Sequence, residues 1–566
     1  LEINSSCVED LRKFGVQQLC PLCRCRIPLP PGPEKIFEDA TRRYMVVHQM
    51  VKRGRASWGS LPASAQREVD AAIAGLRDAA DSGYMLARFN LGLILTQGRG
   101  VVQDDAEAAQ LFRKAADQGL ADAQIKLGTM FTEGRGLAQS DKEAMRWFRK
   151  AADQGIADAQ FNLGEMFRRG HRVSQNDKEA VRWYRKAAVQ GHSTAQVNLG
   201  GMFVGGRGVA QSDVEAVQWY KKAAVQDNTD AQFNLGEMFK EGRGVAQSDV
   251  VAVEWYRKAA EQGHADAQYK LGVMFVDSHG VEQSDMKAAR WYKKAADRGQ
   301  INAQCKLGVM FKQGRGVAQS DVEAVRWFRK AADQGLADAQ YSLGVMIVEG
   351  RGVAQSDVEA AYWYRKAADQ GNAGAQCNLC VMFVEGRGVT QSDEGAARWF
   401  TKAAEQGNAG AQSNLGVMFV EGRGVTQSDN EAAYWYRKAA DQGHAGAQCN
   451  LGLMFVEGRS VAQSDVEAVQ WYRKAADQGE VAAQFSLGLM FKQGRGVAQS
   501  DEVAVQWFRK AADQGNSSAQ YNLVEMLDQG RGVKQSDLEA VGWYRKAADQ
   551  LHAMAQYNLS ATSRRG

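Results

Sequence analysis

Four of the eight cysteines crowd the first twenty-five residues: Cys7, then Cys20-Pro-Leu-Cys23, then Cys25. Two thiolates two residues apart can grip one tetrahedral zinc ion, and Cys7, thirteen positions upstream, adds a third candidate ligand. Zinc binding by Cys7, Cys20 and Cys23 is one reading. A chance cysteine cluster in a disordered leader is the other. The remaining cysteines, Cys305, Cys377, Cys380 and Cys449, sit inside helical patterns. Such a distribution is unlike a secreted disulfide framework and points to a reducing compartment, hence a cytoplasmic location.

Other reactive side chains do not converge. Cys305, Cys377 and Cys449 are seventy-two residues apart, two turns of a thirty-six-residue period, which puts them beyond the roughly 7 Å reach of a disulfide. Cys377 and Cys380 are neighbours on successive turns of one helix, a setting that leaves thiols inert. His192, His264, His444 and His552 share one turn position at multiples of the same period. With helix layers about 8–10 Å apart they cannot share a metal whose ligands lie at about 2 Å. The recurrent Glu349-Gly350-Arg351-Gly352-Val353 follows a helix and lacks the G-K-S/T of a phosphate loop, so it reads as a helix cap and loop. No Ser-His-Asp or paired-carboxylate set stands apart from the repeat, which predicts a non-enzymatic chain.

These residues are placed by the period itself. Thirteen units run from Ala87 to Met554 without insertion or deletion, as in AQYSLGVMIVEGRGVAQSDVEAAYWYRKAADQGNAG from Ala339 to Gly374. One tryptophan recurs at a fixed position, as Trp147, Trp183, Trp327 and Trp363, with Leu111 in its place in the first unit. A unit of this length cannot bury its apolar face alone and must stack on its neighbours. Within it, Ala339 to Glu349 reads as a helix ended by Gly350, and Asp357 to Gln370 as a second ended by Gly371. Ser356 and Glu359 form an S-x-x-E capping box. Ala339, Leu343, Met346 and Ile347 give one core stripe and Ala360, Trp363, Tyr364 and Ala367 the facing one. Gly344 sits mid-helix, where it costs about 1 kcal/mol relative to alanine, so two backbones are expected to approach there. Cys380 and Val524 break that rule, and the helix pair is expected to widen at both.

Length and composition set the frame. At 566 residues the chain exceeds one globular core, a ceiling that stacked repeats escape. The formal charge of +4 arises from acids and bases spread over every unit, so neither a nucleic acid nor a polybasic membrane contact is implied. No apolar run approaches the about eighteen residues of a membrane span, and the chain reads as soluble. Leu1 in place of Met predicts that the true N-terminus lies upstream. Five segments follow: a cysteine-bearing leader over 1–26, a proline-containing linker with one helix over 27–63, a degenerate half repeat over 64–86, thirteen repeats over 87–554, and the start of a further repeat with a tail over 555–566. The basic cluster of Arg42, Arg43, Lys52, Arg53 and Arg55 reads as a solvated face.

The pattern A-Q-x-x-L-G-x-M-F-x-x-G-x-G-V followed by A-x-x-W-Y/F-x-K-A-A-x-Q-G resembles the Sel-one-like repeat, a relative of the tetratricopeptide repeat. The resemblance implies an all-α, right-handed α-solenoid of paired antiparallel helices that serves as a protein-binding scaffold or adaptor. It carries no catalytic residue. CVEDLRKFGVQQLCPLCR resembles the second half of a RING zinc finger, with Cys20 and Cys23 as the last two ligands and Cys7 before them. Asn4 stands where a partner ligand is expected and the first four ligands would lie upstream, so zinc is a cofactor only if the finger is completed there. That resemblance implies the alternative function: the substrate-recognition part of a RING-type ubiquitin ligase, which recruits a ubiquitin-conjugating enzyme.

Specificity is sought where the repeats disagree. The positions of Tyr341, Val345 and Val348 vary most and lie on one helical stripe. In early units the last two are polar, as in Glu165/Arg168 and Glu237/Lys240. From the seventh to the eleventh they turn apolar: Val309, Val345/Val348, Val381/Val384, Val417/Val420 and Leu453/Val456. One reading is a hydrophobic ribbon along the inner helical surface on which a partner protein or peptide docks. The other is core contact with the next unit.

Overall fold

The computed structural model describes residues 32–170, 174–534 and 542–543, and among these there are helices and no β-strand. The chain divides into two compact units, residues 1–284 and 285–566. Each is a run of paired helices of the kind that builds a solenoid.

The first unit opens with a helix pair outside the regular period. Pro33–Lys52, with proline in its first turn, buries Phe37, Ala40, Tyr44 and Val47. It packs on Ala63–Asp81, where a Cβ on Gly75 would stand 3.0 Å from the Ala40 side chain. The helix in the 27–63 stretch is thus packed on the array by an apolar stripe. Its basic face is solvated, with Arg43 paired to Glu68 at 3.1 Å.

Repeats follow one plan, seen in the helices Ala337–Glu349 and Asp357–Asp369 of the second unit. Ala339, Leu343, Met346 and Ile347 are fully buried, and Ala360, Trp363, Tyr364 and Ala367 face them at 5% exposure or less. Gly344 has a different reason from the expected backbone contact: a Cβ there would lie 2.6 Å from the Tyr364 ring. The aromatic ring of the second helix lies against the glycine of the first. The same contact recurs at Gly164 with Tyr184 and Gly488 with Phe508. Cys380 stands in place of that glycine and is fully buried. The residue facing Val524 falls outside the described residues.

The capping box is half formed. Ser356 Oγ accepts from the Glu359 N–H at 3.2 Å, while the Ser356 N–H donates to the Ile347 carbonyl of the first helix. One serine therefore starts the second helix and ties it to the end of the first. Lysine three residues after the tryptophan lies over the indole, as Lys150 does at 4.1 Å from the Trp147 ring centre.

Two polar ladders join successive repeats, and the recurrence of their residues in sequence does not show what each one pairs with. Gln340, only 2% exposed, donates from Nε2 to the Ala332 carbonyl at the end of the preceding repeat and accepts at Oε1 from Gln370 Nε2 at 2.8 Å. It thereby gives the helix-end carbonyl of Ala332 a second donor beside the Gly335 N–H at 3.0 Å. Arg351 forks onto Asp321 of the preceding repeat at 3.1 and 2.9 Å, and Arg387 repeats this on Asp357. The following loop glycine, Gly352, has φ +70°, and a Cβ there would stand 2.3 Å from the Asp321 backbone.

The ladders differ in weight. Gln340→Leu is expected to lower stability by about 1–3 kcal/mol, because it removes both hydrogen bonds of a buried carboxamide. Arg351→Gln, at a half-exposed pair, is expected to cost less than about 1 kcal/mol. Urea unfolding of the two variants measures the contrast. In the eleventh repeat Ser460 takes the place of the loop glycine at φ +56°. Ser460→Gly is expected to raise stability by about 1 kcal/mol, seen as a higher melting temperature.

Candidate protein-interaction surface

On each first helix the stripe of Tyr341, Val345 and Val348 lies opposite the buried stripe. The structure places Val345, Val348, Val384, Val417, Val420 and Val456 half-buried, each with a flank against the core. Val381 and Leu453 are exposed, at 43% and 45%. None of the eight is fully buried. All belong to the second unit, where each apolar pair occupies successive turns of one first helix.

In the third and fifth repeats, both in the first unit, the same positions form polar locks. Glu165 receives Arg168 at 2.8 Å, Arg169 at 2.9 Å, Asn198 at 2.8 Å and the Tyr184 hydroxyl. Burial by itself would raise the Glu165 carboxyl, but hydrogen bonds from Arg168 and Tyr184 and the charges of Arg168 and Arg169 hold it below the usual range. Glu237 accepts from the Tyr256 hydroxyl and from Lys270 at 2.9 Å, and Lys240 reaches Asp249 at 3.0 Å. The sequence signal for these locks is an acid at the Val345 position followed nineteen residues later by tyrosine.

The other candidates for chemistry are occupied by structure. His192, His264 and His444 each accept the N–H of the residue three places on at Nδ1, capping a first helix, the role Asn372 fills elsewhere. Burial raises the Cys377 and Cys380 thiols and pushes Cys305 up to about 11 and Cys449 up to about 12, so all four stay protonated near neutrality. Among the described residues no group of three or more His, Cys, Asp or Glu side chains is placed to hold a metal ion. No described helix is long and apolar enough to cross a membrane. Cys7, Cys20 and Cys23 lie outside the described residues, as does the RING-like stretch around them.

Because the folded Glu165 carboxyl sits below its unfolded value, the stability it contributes is present above about pH 4.3 and is lost as pH falls through the lower folded value. Glu165→Gln is expected to lower the melting temperature at pH 7, with the difference from the parent shrinking towards pH 3. A pH series of thermal melts on both proteins measures it.

Comparison with known proteins agrees with this geometry. The Sel1 repeat family model matches thirteen consecutive stretches, from 86–120 and 121–156 through to 517–550. No curated protein matches the chain. Among solved structures the chain is similar to c5321, a protective antigen present in uropathogenic Escherichia coli strains that displays an SLR fold. The two share 36% identity over 79% of this chain and 97% of that one, with a TM-score of 0.66. It is also similar to a Sel1 repeat protein from Oxalobacter formigenes, at 32% identity over 56% of this chain and 93% of that one, with a TM-score of 0.46. Thirteen matched repeats on a stack of paired helices show that the chain belongs to the Sel1 repeat family.

Proposed function

We propose that this chain is a non-enzymatic scaffold that holds partner proteins or peptides on the solvent face of its first helices. The observation that carries this reading is the run of apolar side chains left partly in solvent on four consecutive first helices, from Val345 to Val456. A repeat needs no apolar residue there to stack: repeats with Glu165 or Glu237 at the same position bury the same alanine, leucine and methionine core. Half-buried valines whose flanks are already packed offer contact area with little side-chain freedom to lose on binding. The helix-end residues, the buried glutamines and the tryptophan are committed to stacking, which leaves this face as the variable one.

The alternative is the substrate-recognition part of a RING-type ubiquitin ligase, engaging a ubiquitin-conjugating enzyme through a zinc finger. It uses the same scaffold and rests on the spacing of Cys7, Cys20 and Cys23. The distribution of cysteines supports a reducing, cytoplasmic setting.

Serine at Val381, Val384, Val417 and Val420 is expected to remove partner capture while the melting temperature moves by only a few degrees. Affinity capture on the full chain and its quadruple variant, with a thermal melt of each, checks this. A stability loss of several kcal/mol would mean that these valines are core, as in large-to-small core substitutions.

A further inference from the structure

The apolar face in the eighth to eleventh repeats has two chemically distinct borders. One turn C-terminal to each apolar residue stands an exposed glutamate: Glu349, Glu385, Glu421 and Glu457. Residues four apart on a helix are neighbours, so each carboxylate borders Val345, Val381, Val417 or Leu453 directly. These glutamates are not neutralised. Arg387 lies 3.4 Å from Glu385 but is already forked onto Asp357, which leaves two carboxylates for one guanidinium. Arg351, Arg423 and Arg459 repeat the arrangement with their own glutamate and aspartate. The result is an acidic fringe of about one net negative charge per repeat beside the apolar residues of each first helix.

The other border carries carboxamides. Asn378, Asn414 and Asn450 lie three residues before Val381, Val417 and Leu453, again as helical neighbours. Asn414 is exposed. Asn378 and Asn450 are half-buried. A carboxamide offers a donor and an acceptor together, the complement of a peptide group. An extended chain has peptide groups free to meet it, whereas a helix has already paired its own.

We infer that repeats eight to eleven bind an extended, basic-and-apolar peptide segment: apolar side chains on the valine row, lysine or arginine against the glutamate fringe, and backbone against the asparagines. This rests on the scaffold reading and adds to it the chemistry of the occupant. Charge complementarity selects the basic partner and the carboxamide border selects the extended one.

Fluorescence anisotropy of the full chain with three labelled probes tests the inference. The first probe is a proline-interrupted dodecapeptide in which valine alternates with lysine. The second replaces each lysine with glutamate. The third has the first probe's valine and lysine residues, without proline, rearranged to helical three- and four-residue spacing. The first probe is expected to bind, to weaken at least tenfold with Glu385→Lys/Glu421→Lys, and to lose binding with Val384→Ser/Val420→Ser. Asn414→Ala is expected to weaken it about threefold. Variants are compared only where thermal melts match the parent, and Val102→Ser, at an exposed residue outside the surface, serves as a control. Equal binding of the acidic probe, tighter binding of the helical probe, no binding of any probe, or binding indifferent to the valine variant would each overturn the inference. The scaffold reading fails separately, when the quadruple serine variant still captures its partner.

Discussion

The ring of Tyr364 resting on Gly344 fixes the distance between the two helices of a repeat, and the stack is built on that distance. Glycine in mid-helix lowers helix stability by about 1 kcal/mol relative to alanine. Alanine would place its Cβ 2.6 Å from a ring carbon, well inside van der Waals contact, so the local loss is smaller than the overpacking it avoids. With the ring seated, Leu343 and Met346 reach full burial beside it. Where Cys380 replaces the glycine, the small thiol is accommodated fully buried.

A helix pair of this kind has an unfinished side, and stacking completes it. Gln340 shows how polar groups are handled in that interior: it sits among alanines and leucines, yet both ends of its carboxamide are paired, one to the preceding repeat and one to its own second helix. The arginine–aspartate fork does related work at the rim, where water screens it and geometry matters more than energy. Interactions of this sort reach only the nearest neighbour, so each repeat is stabilised by its own packing and by two interfaces.

Once stacking is satisfied, the outward stripe of the first helix is under no common constraint, and the repeats diverge there. The third and fifth repeats close the stripe with internally neutralised locks around Glu165 and Glu237. The eighth to eleventh leave it apolar with an acidic border. One scaffold thus carries surfaces of opposite character, and the difference rests on two or three side chains per repeat.

The sequence by itself determined the helices, their ends and their core stripes, because a thirty-six-residue period with fixed glycines, serines and tryptophans leaves one way to place two amphipathic helices. It also marked the divergent stripe, since positions free of packing are the ones that vary. Only the tertiary structure decided what Gly344, Gln340 and the Asp321–Arg351 pair are for. Their partners sit on another helix or another repeat, twenty to thirty residues away, and a polar residue recurring once per period looks the same whether it faces water or bridges two helices. Tertiary structure also decided that the valines of the eighth to eleventh repeats stand half in solvent: a helical pattern gives the direction of a side chain, and only the packed neighbour determines how much of it is covered.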